Sequence, residues 1–306
     1  MTGFALYARR IAHGHAALLW TVAGSVVLLA IAVYTSASME AALEARVGDM
    51  GAVSVALIAT LCTAAATGAG ALPVLFARTI SARAQTAMLG FSAGVMLAAS
   101  VFSLLLPAIG AATSMTGSKI AGGLLAAAAL LLGATLLMLM DKVVPHEHAA
   151  QGAHGLHYQA IRRVWLFVFA ITLHNVPEGL AIGVAFGGAG VSSGLPVALG
   201  IGLQNMPEGL AVALAMLTLQ YSRLHAVLIA LATGLVEPLG GLLGAGAMAI
   251  SGSVLPWGLG FAAGAMLFVI SHEMIPESHR NGRETSATVG LFAGFVLMML
   301  FDTTLS

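Results

Sequence analysis

His174-Asn175-Val176-Pro177-Glu178-Gly179-Leu180-Ala181 and Gln204-Asn205-Met206-Pro207-Glu208-Gly209-Leu210-Ala211 are nearly the same string written twice, each inside an otherwise apolar run. A spacing of four places His174 and Glu178 on one face of a helix, and Gln204 and Glu208 on the matching face of another. Asn175 and Asn205 point about 100° away from those faces, given roughly 3.6 residues per turn. Each proline lacks an N–H, so the carbonyls of Leu173 and Leu203 lose their usual donor and both helices are expected to kink beside these polar groups. Broken helices at membrane depth line cavities.

The surroundings fix that depth. Hydrophobic residues make up 59% of the 306 positions and charged residues 8%, with a mean hydropathy of +0.99. Such a chain belongs in a bilayer. A hydrocarbon core of about 30 Å takes roughly 20 residues of helix, and nine apolar stretches of that order are present: 14–35, 51–77, 85–109, 119–140, 164–187, 195–219, 224–250, 255–275 and 286–304. The expected fold is an all-α integral membrane bundle. Consecutive helices run in opposite directions, so the two motifs are related by a pseudo-twofold axis in the membrane plane and meet near mid-depth, where inverted-repeat transporters bind substrate.

Positive charge sets the orientation. With a cytoplasmic amino terminus, that side receives Arg9, Arg10, Arg78, Arg83, Lys142, Arg162, Arg163, Arg223, Arg280 and Arg283, against Arg46 and Lys119 opposite. The carboxyl terminus is then outside. The first stretch has a rival reading as a cleavable signal peptide, from Arg9 and Arg10, an apolar run and the small-residue patch 35–38; the run is long for that, and an uncleaved helix is the expectation. The chain divides into 1–50 with the extra helix, 51–140, a cytoplasmic loop 141–163, the motif core 164–219, and 220–306. Net charge is zero with no run of like charges, which argues against nucleic acid as a partner. The lone Cys62 allows no intrachain disulfide. Glycines at four-residue spacing, Gly179, Gly183 and Gly187 and also Gly240 and Gly244, are suited to close helix packing.

An intramembrane carboxylate costs about 2.5–3.5 kcal/mol on insertion scales. Glu178 and Glu208 are joined by a third, Glu237 of Glu237-Pro238-Leu239-Gly240, and no Lys or Arg lies near the middle of any stretch to pair with them. A divalent cation supplies the missing charge. One ion leaves the trio at −1 and two leave +1, and a shell of carboxylate, imidazole and amide suits zinc, cadmium, iron or manganese. Three protonated glutamates bonded to backbone carbonyls are the alternative.

These residues resemble the ZIP family of divalent-metal transporters, the Zrt-like and Irt-like proteins, in its prokaryotic branch with two Pro-Glu-Gly motifs. The likeness covers all but the first of the nine stretches. It implies an eight-helix bundle with an inverted 3+2+3 repeat, plus one additional amino-terminal helix, a binuclear intramembrane metal centre, an elevator-type mechanism and a homodimer. It further implies one ion held by His174, Glu178, Gln204 and Glu208, with Met96 as a thioether ligand, and a second held by Asn175, Glu178, Asn205, Glu208 and Glu237. Many relatives have His where this chain has Gln204, which makes that position the expected seat of metal preference.

Secondary candidates lie on the cytoplasmic side. His146, His148, His154 and His157 share the loop with Asp141 and Glu147; such loops in the family are thought to receive metal, and the alternative is a solvated loop that binds metals weakly. His272 and Glu273, before Pro276, are read as an exit pair. Asp302 is placed at the outer end of the last stretch, either solvated or attracting cations. The expected activity is zinc or similar uptake across a bacterial inner membrane, with no catalytic cofactor. A channel lined by acidic residues is one rival. A membrane metalloenzyme is the other, disfavoured because His-Glu-x-x-His and paired Glu-x-x-His are absent.

Overall fold

The computed structural model describes residues 44–47, 50–76, 80–143, 156–279 and 282–305. The stretch 14–35, with its signal-peptide alternative, and the loop residues His146, Glu147, His148 and His154 lie outside these. Eight helices of membrane-crossing length and hydropathy follow one another: α1 Ala52–Phe76, α2 Ala82–Thr116, α3 Lys119–Met140, α4 Val164–Gly188, α5 Gly190–Thr218, α6 Arg223–Ile250, α7 Gly252–His279 and α8 Glu284–Thr304. The described residues contain no strand. The protein is a multi-pass membrane protein, and the helices alternate in direction so that Arg83, Arg223 and Arg283 fall at one end and Lys119 at the other.

Two helices run further than their sequence suggests. The stretch 85–109 was expected to end two residues past Pro107, yet α2 continues to Thr116. A π-helical turn, Ala99–Leu105, precedes the proline, and the Leu106 N–H bonds to the Val101 carbonyl five residues back. The wider turn absorbs the proline without ending the helix. The same device recurs in α7, where Ile270–Met274 is π-helical and the Ile275 N–H bonds to Ile270 just before Pro276. The α4–α5 link is equally compact. A loop over 188–194 was expected from its small residues, but helix resumes at once after Gly190, whose φ of 74° and ψ of −150° reverse the chain in a single residue. That conformation is essentially reserved for glycine.

Backbone contacts at glycines give the internal symmetry. A Cβ on Gly179 of α4 would sit 2.0 Å from the Glu237 carbonyl of α6, and one on Gly209 of α5 1.8 Å from the Thr67 carbonyl of α1. Gly70 meets Met206 as Gly240 meets Val176; Gly94 of α2 meets Leu291 of α8 as Gly264 of α7 meets Leu130 of α3; Gly294 meets Phe91 as Gly133 meets Phe261. The α1–α2 members of these pairs (67, 70, 91, 94) map onto the α6–α7 members (237, 240, 261, 264) by one constant shift of numbering. Helices α1–α3 are thus repeated as α6–α8 in inverted sense, with α4 and α5 exchanging roles between them. Each Pro-Glu-Gly glycine allows its helix to lie directly on the backbone of a flanking helix, which brings the preceding glutamate to the α1, α4, α5 and α6 junction.

Candidate metal centre

Helix geometry supplies the polar cluster at that junction. His174, Asn175, Glu178, Gln204, Asn205, Glu208 and Glu237 are all buried, none more than 5% exposed. The proline of α6 explains why Glu237 belongs to it. Helix α6 is interrupted at Leu235 and Val236 and restarts at Glu237, with Pro238 at a position where no N–H is required. The carbonyl of Thr233, at the interruption, takes the Asn175 amide N–H₂ as donor at 2.6 Å.

The three carboxylates are held from helices α5, α2 and α1. Gln204 Nε2 donates to Glu178 Oε1 at 2.6 Å. Ser92 of α2 donates to Glu208 Oε1 at 2.8 Å. Glu237 has both oxygens engaged, Oε1 by Asn205 Nδ2 at 2.7 Å and Oε2 by the Thr63 hydroxyl of α1. The Asn205 amide also reaches the Thr63 carbonyl at 3.2 Å. The three glutamates lie close enough to interact electrostatically with one another, and Glu208 does so with His174.

After these bonds are assigned, five buried atoms have no donor: His174 Nδ1, Asn175 Oδ1, Glu178 Oε2, Gln204 Oε1 and Asn205 Oδ1. All five belong to the duplicated motif. Three are amide oxygens, which can only accept, and one is a carboxylate oxygen of Glu178, an acceptor when ionised. The fifth is the second ring nitrogen of His174, whose Nε2 lies 3.2 Å from Glu273 Oε1; assigning the ring proton to Nε2 leaves a lone pair on Nδ1. A carboxylate that fixes a histidine tautomer in this way is the usual partner of a metal-binding imidazole. Buried acceptors without donors are costly, and bound cations are one chemical means of satisfying them. Among the described residues no group of three His, Cys, Asp or Glu side chains closes on a single point; three of the five unpaired atoms are amide oxygens.

The π-helical turn of α7 places His272 and Glu273 beside this cluster. His272 stacks on Phe268 with ring centroids 5.1 Å apart. Glu208, His272, Glu273 and Glu277 line a cavity of about 400 Å³. A second cavity of about 350 Å³ shares Leu89, Phe167, Ala211 and Glu277 with it and extends past Gln85, Thr86 and Thr218, towards the end that carries Arg83 and Arg223. In the other direction, α4 and α5 carry buried Ile182, Phe186, Val197 and Ile201 within one apolar cluster. Met96 belongs to that cluster too, while the α2 residue bonded to the motif is Ser92, one turn earlier. Asp302 accepts from Ser103 of α2 at 2.6 Å.

Sequence reasoning did not find Ser92, Thr63 or the Thr233 carbonyl. The α1 threonines carried a signal in their spacing, since Thr60, Thr63 and Thr67 form one buried stripe. Ser92 stood alone among apolar residues and carried none.

Comparison with known proteins gives the family. A family described as ZIP zinc transporter matches residues 145–302. The zinc transporter ZIPB of Bordetella bronchiseptica is 49% identical over 241 residues, covering 79% of this chain and 78% of its own. The zinc transporter GufA of Myxococcus xanthus is 48% identical over 249 residues, covering 81% of this chain and 98% of its own. The human zinc transporter ZIP11 is 33% identical, covering 81% and 96% respectively. These are transporters rather than enzymes, and with the duplicated Pro-Glu-Gly motif at the centre of an eight-helix bundle, the chain belongs to the ZIP zinc transporter family.

Proposed function

We propose that the protein carries Zn²⁺, or a divalent ion of similar chemistry, from the outer side of a bacterial inner membrane to the cytoplasm. The observation that carries this reading is the set of five donorless atoms on the two motifs. Neutral and anionic acceptors converge there with no cationic side chain, and a divalent ion is the ligand that compensates three buried carboxylates without adding bulk.

The first ion engages Glu178, Glu208, His174 and Gln204. The second uses Asn175, Asn205 and Glu237 and shares Glu178 and Glu208 with the first; each Glu237 oxygen accepts one hydrogen bond, from Asn205 or Thr63, and keeps a further lone pair for an ion. With the arginine-rich end cytoplasmic, the cavity from Glu208 past Glu273 and Glu277 is the release route and the apolar cluster is the closed outer gate. A carrier with one face closed favours alternating access over a channel, and we assign the movement to an elevator-type displacement of the α1, α4, α5 and α6 group within a homodimer.

Radiometal uptake into proteoliposomes is the test. Glu178→Ala and Glu208→Ala, each folded as judged by thermal unfolding, are expected to reduce zinc uptake at least about 100-fold, the upper range for losing groups that act on a metal. Wild-type uptake in both variants overturns the assignment.

A further inference from the structure

The glutamates of the two motifs are not held alike. Glu178 is held by Gln204, from within the motif pair, but Glu208 is held by Ser92 on α2, a helix outside it. The internal symmetry makes the difference sharper. The α7 position matched to Ser92 is Ala262, also fully buried, so the repeat-mate of the serine has no donor to offer. The hydroxyl is present on one side of the repeat only.

Its surroundings fix it tightly. Gly90 and Gly94, on either side of Ser92, rest on the backbone of α8 at Ala287 and Leu291, which holds α2 in register. The serine side chain faces α5, where its oxygen lies 2.8 Å from Glu208 Oε1 and 3.3 Å from the Gln204 carbonyl. A hydroxyl has one proton and serves one acceptor at a time, and a charged acceptor forms the stronger bond. Bound to Oε1, it fixes the rotation of the Glu208 carboxylate; Glu208 is among the groups that line the cavity.

We infer that Ser92 is a positioning residue for metal binding, orienting Glu208 through a hydrogen bond from α2. The inference rests on the reading of Glu208 as a ligand. Groups that orient a metal ligand in this way typically contribute about 10- to 100-fold in affinity.

The test is the dissociation constant for Zn²⁺ alone, by titration calorimetry on the full chain in detergent, with the unfolding temperature recorded for every variant. Ser92→Ala is expected to weaken binding by about tenfold or more, while Ser92→Thr, which keeps the donor, stays within about threefold. In a Glu208→Gln background the charged acceptor is gone, and Ser92→Ala then costs less than about threefold, because coupled residues are not additive. Wild-type affinity in Ser92→Ala overturns the inference. So does an equal loss in both backgrounds, which would mean that the hydroxyl acts through packing, or a Ser92→Thr variant as weak as Ser92→Ala. If Glu208→Gln alone leaves the affinity unchanged, the assignment of Glu208 as a ligand fails, whichever way the serine behaves.

Discussion

Replacing Gly179 by alanine tests whether backbone contact at the motif sets the geometry of the metal centre. The new Cβ would lie 2.0 Å from the carbonyl oxygen of Glu237, 2.7 Å from its carbon and 2.9 Å from its Cα. All three are backbone atoms, so no rotamer change relieves the clash. Ordinary contact begins near 3.4 Å, and α4 and α6 must separate by roughly 1 Å or more to reach it, a typical overpacking cost of about 1–3 kcal/mol. For a chain of this size that lowers the unfolding temperature by roughly 2–12 °C. The functional loss is larger, because Glu178 precedes the substituted residue and Glu237 is the residue displaced. Metal sites tolerate only about 0.2 Å in ligand distance, and a misplacement of about 1 Å costs on the order of 100-fold. Zinc uptake by proteoliposomes is expected to fall by that order while the protein stays folded. Gly123→Ala and Gly246→Ala are the controls, since a Cβ at either meets nothing within 4 Å. Uptake by Gly179→Ala equal to that of the two controls would refute the reasoning. Symmetry adds a second condition, that Gly209→Ala, 1.8 Å from the Thr67 carbonyl, must fail to a similar degree.

Glu273→Gln keeps an acceptor for the His174 N–H but removes its charge; zinc affinity is expected to fall by about tenfold, read by calorimetry. Thr63→Val removes a donor that orients Glu237 while Asn205 keeps its own, so the second step of a zinc titration should weaken by about tenfold relative to the first. Pro276→Ala supplies the N–H whose absence accompanies the π-helical turn Ile270–Met274. Relaxation to α-helix would rotate Glu273 away from His174 and reduce affinity as Glu273→Gln does, a shared loss that a double variant should not deepen.

The helices and the paired motifs were legible because both rest on local rules. Bilayer thickness sets run length, and a four-residue spacing sets a helix face. Positions that depend on a neighbouring helix were not. The Asn205–Glu237 bond joins α5 to α6, and nothing in either string names the other. Glu273 was read from its own helix as part of an exit pair. The structure sets it against His174, because a π-helical turn shifts the side-chain register and an α-helical reading has no means of anticipating that. Ser92 shows the same limit, since one serine in an apolar helix gains meaning only from Glu208 opposite.

The single-residue reversal at Gly190 has a consequence for any motion of the site. A loop of several residues between α4 and α5 would let one slide along the other like a slack tether, and the ligand pairs could part in transit. One glycine at φ 74° leaves no slack. The two helices are joined like the arms of a calliper at a fixed pivot, so under the proposed carrier reading an ion gripped between His174 and Glu178 on one arm and Gln204 and Glu208 on the other would travel with its coordination intact, and release would come from groups that approach the arms rather than from the arms opening.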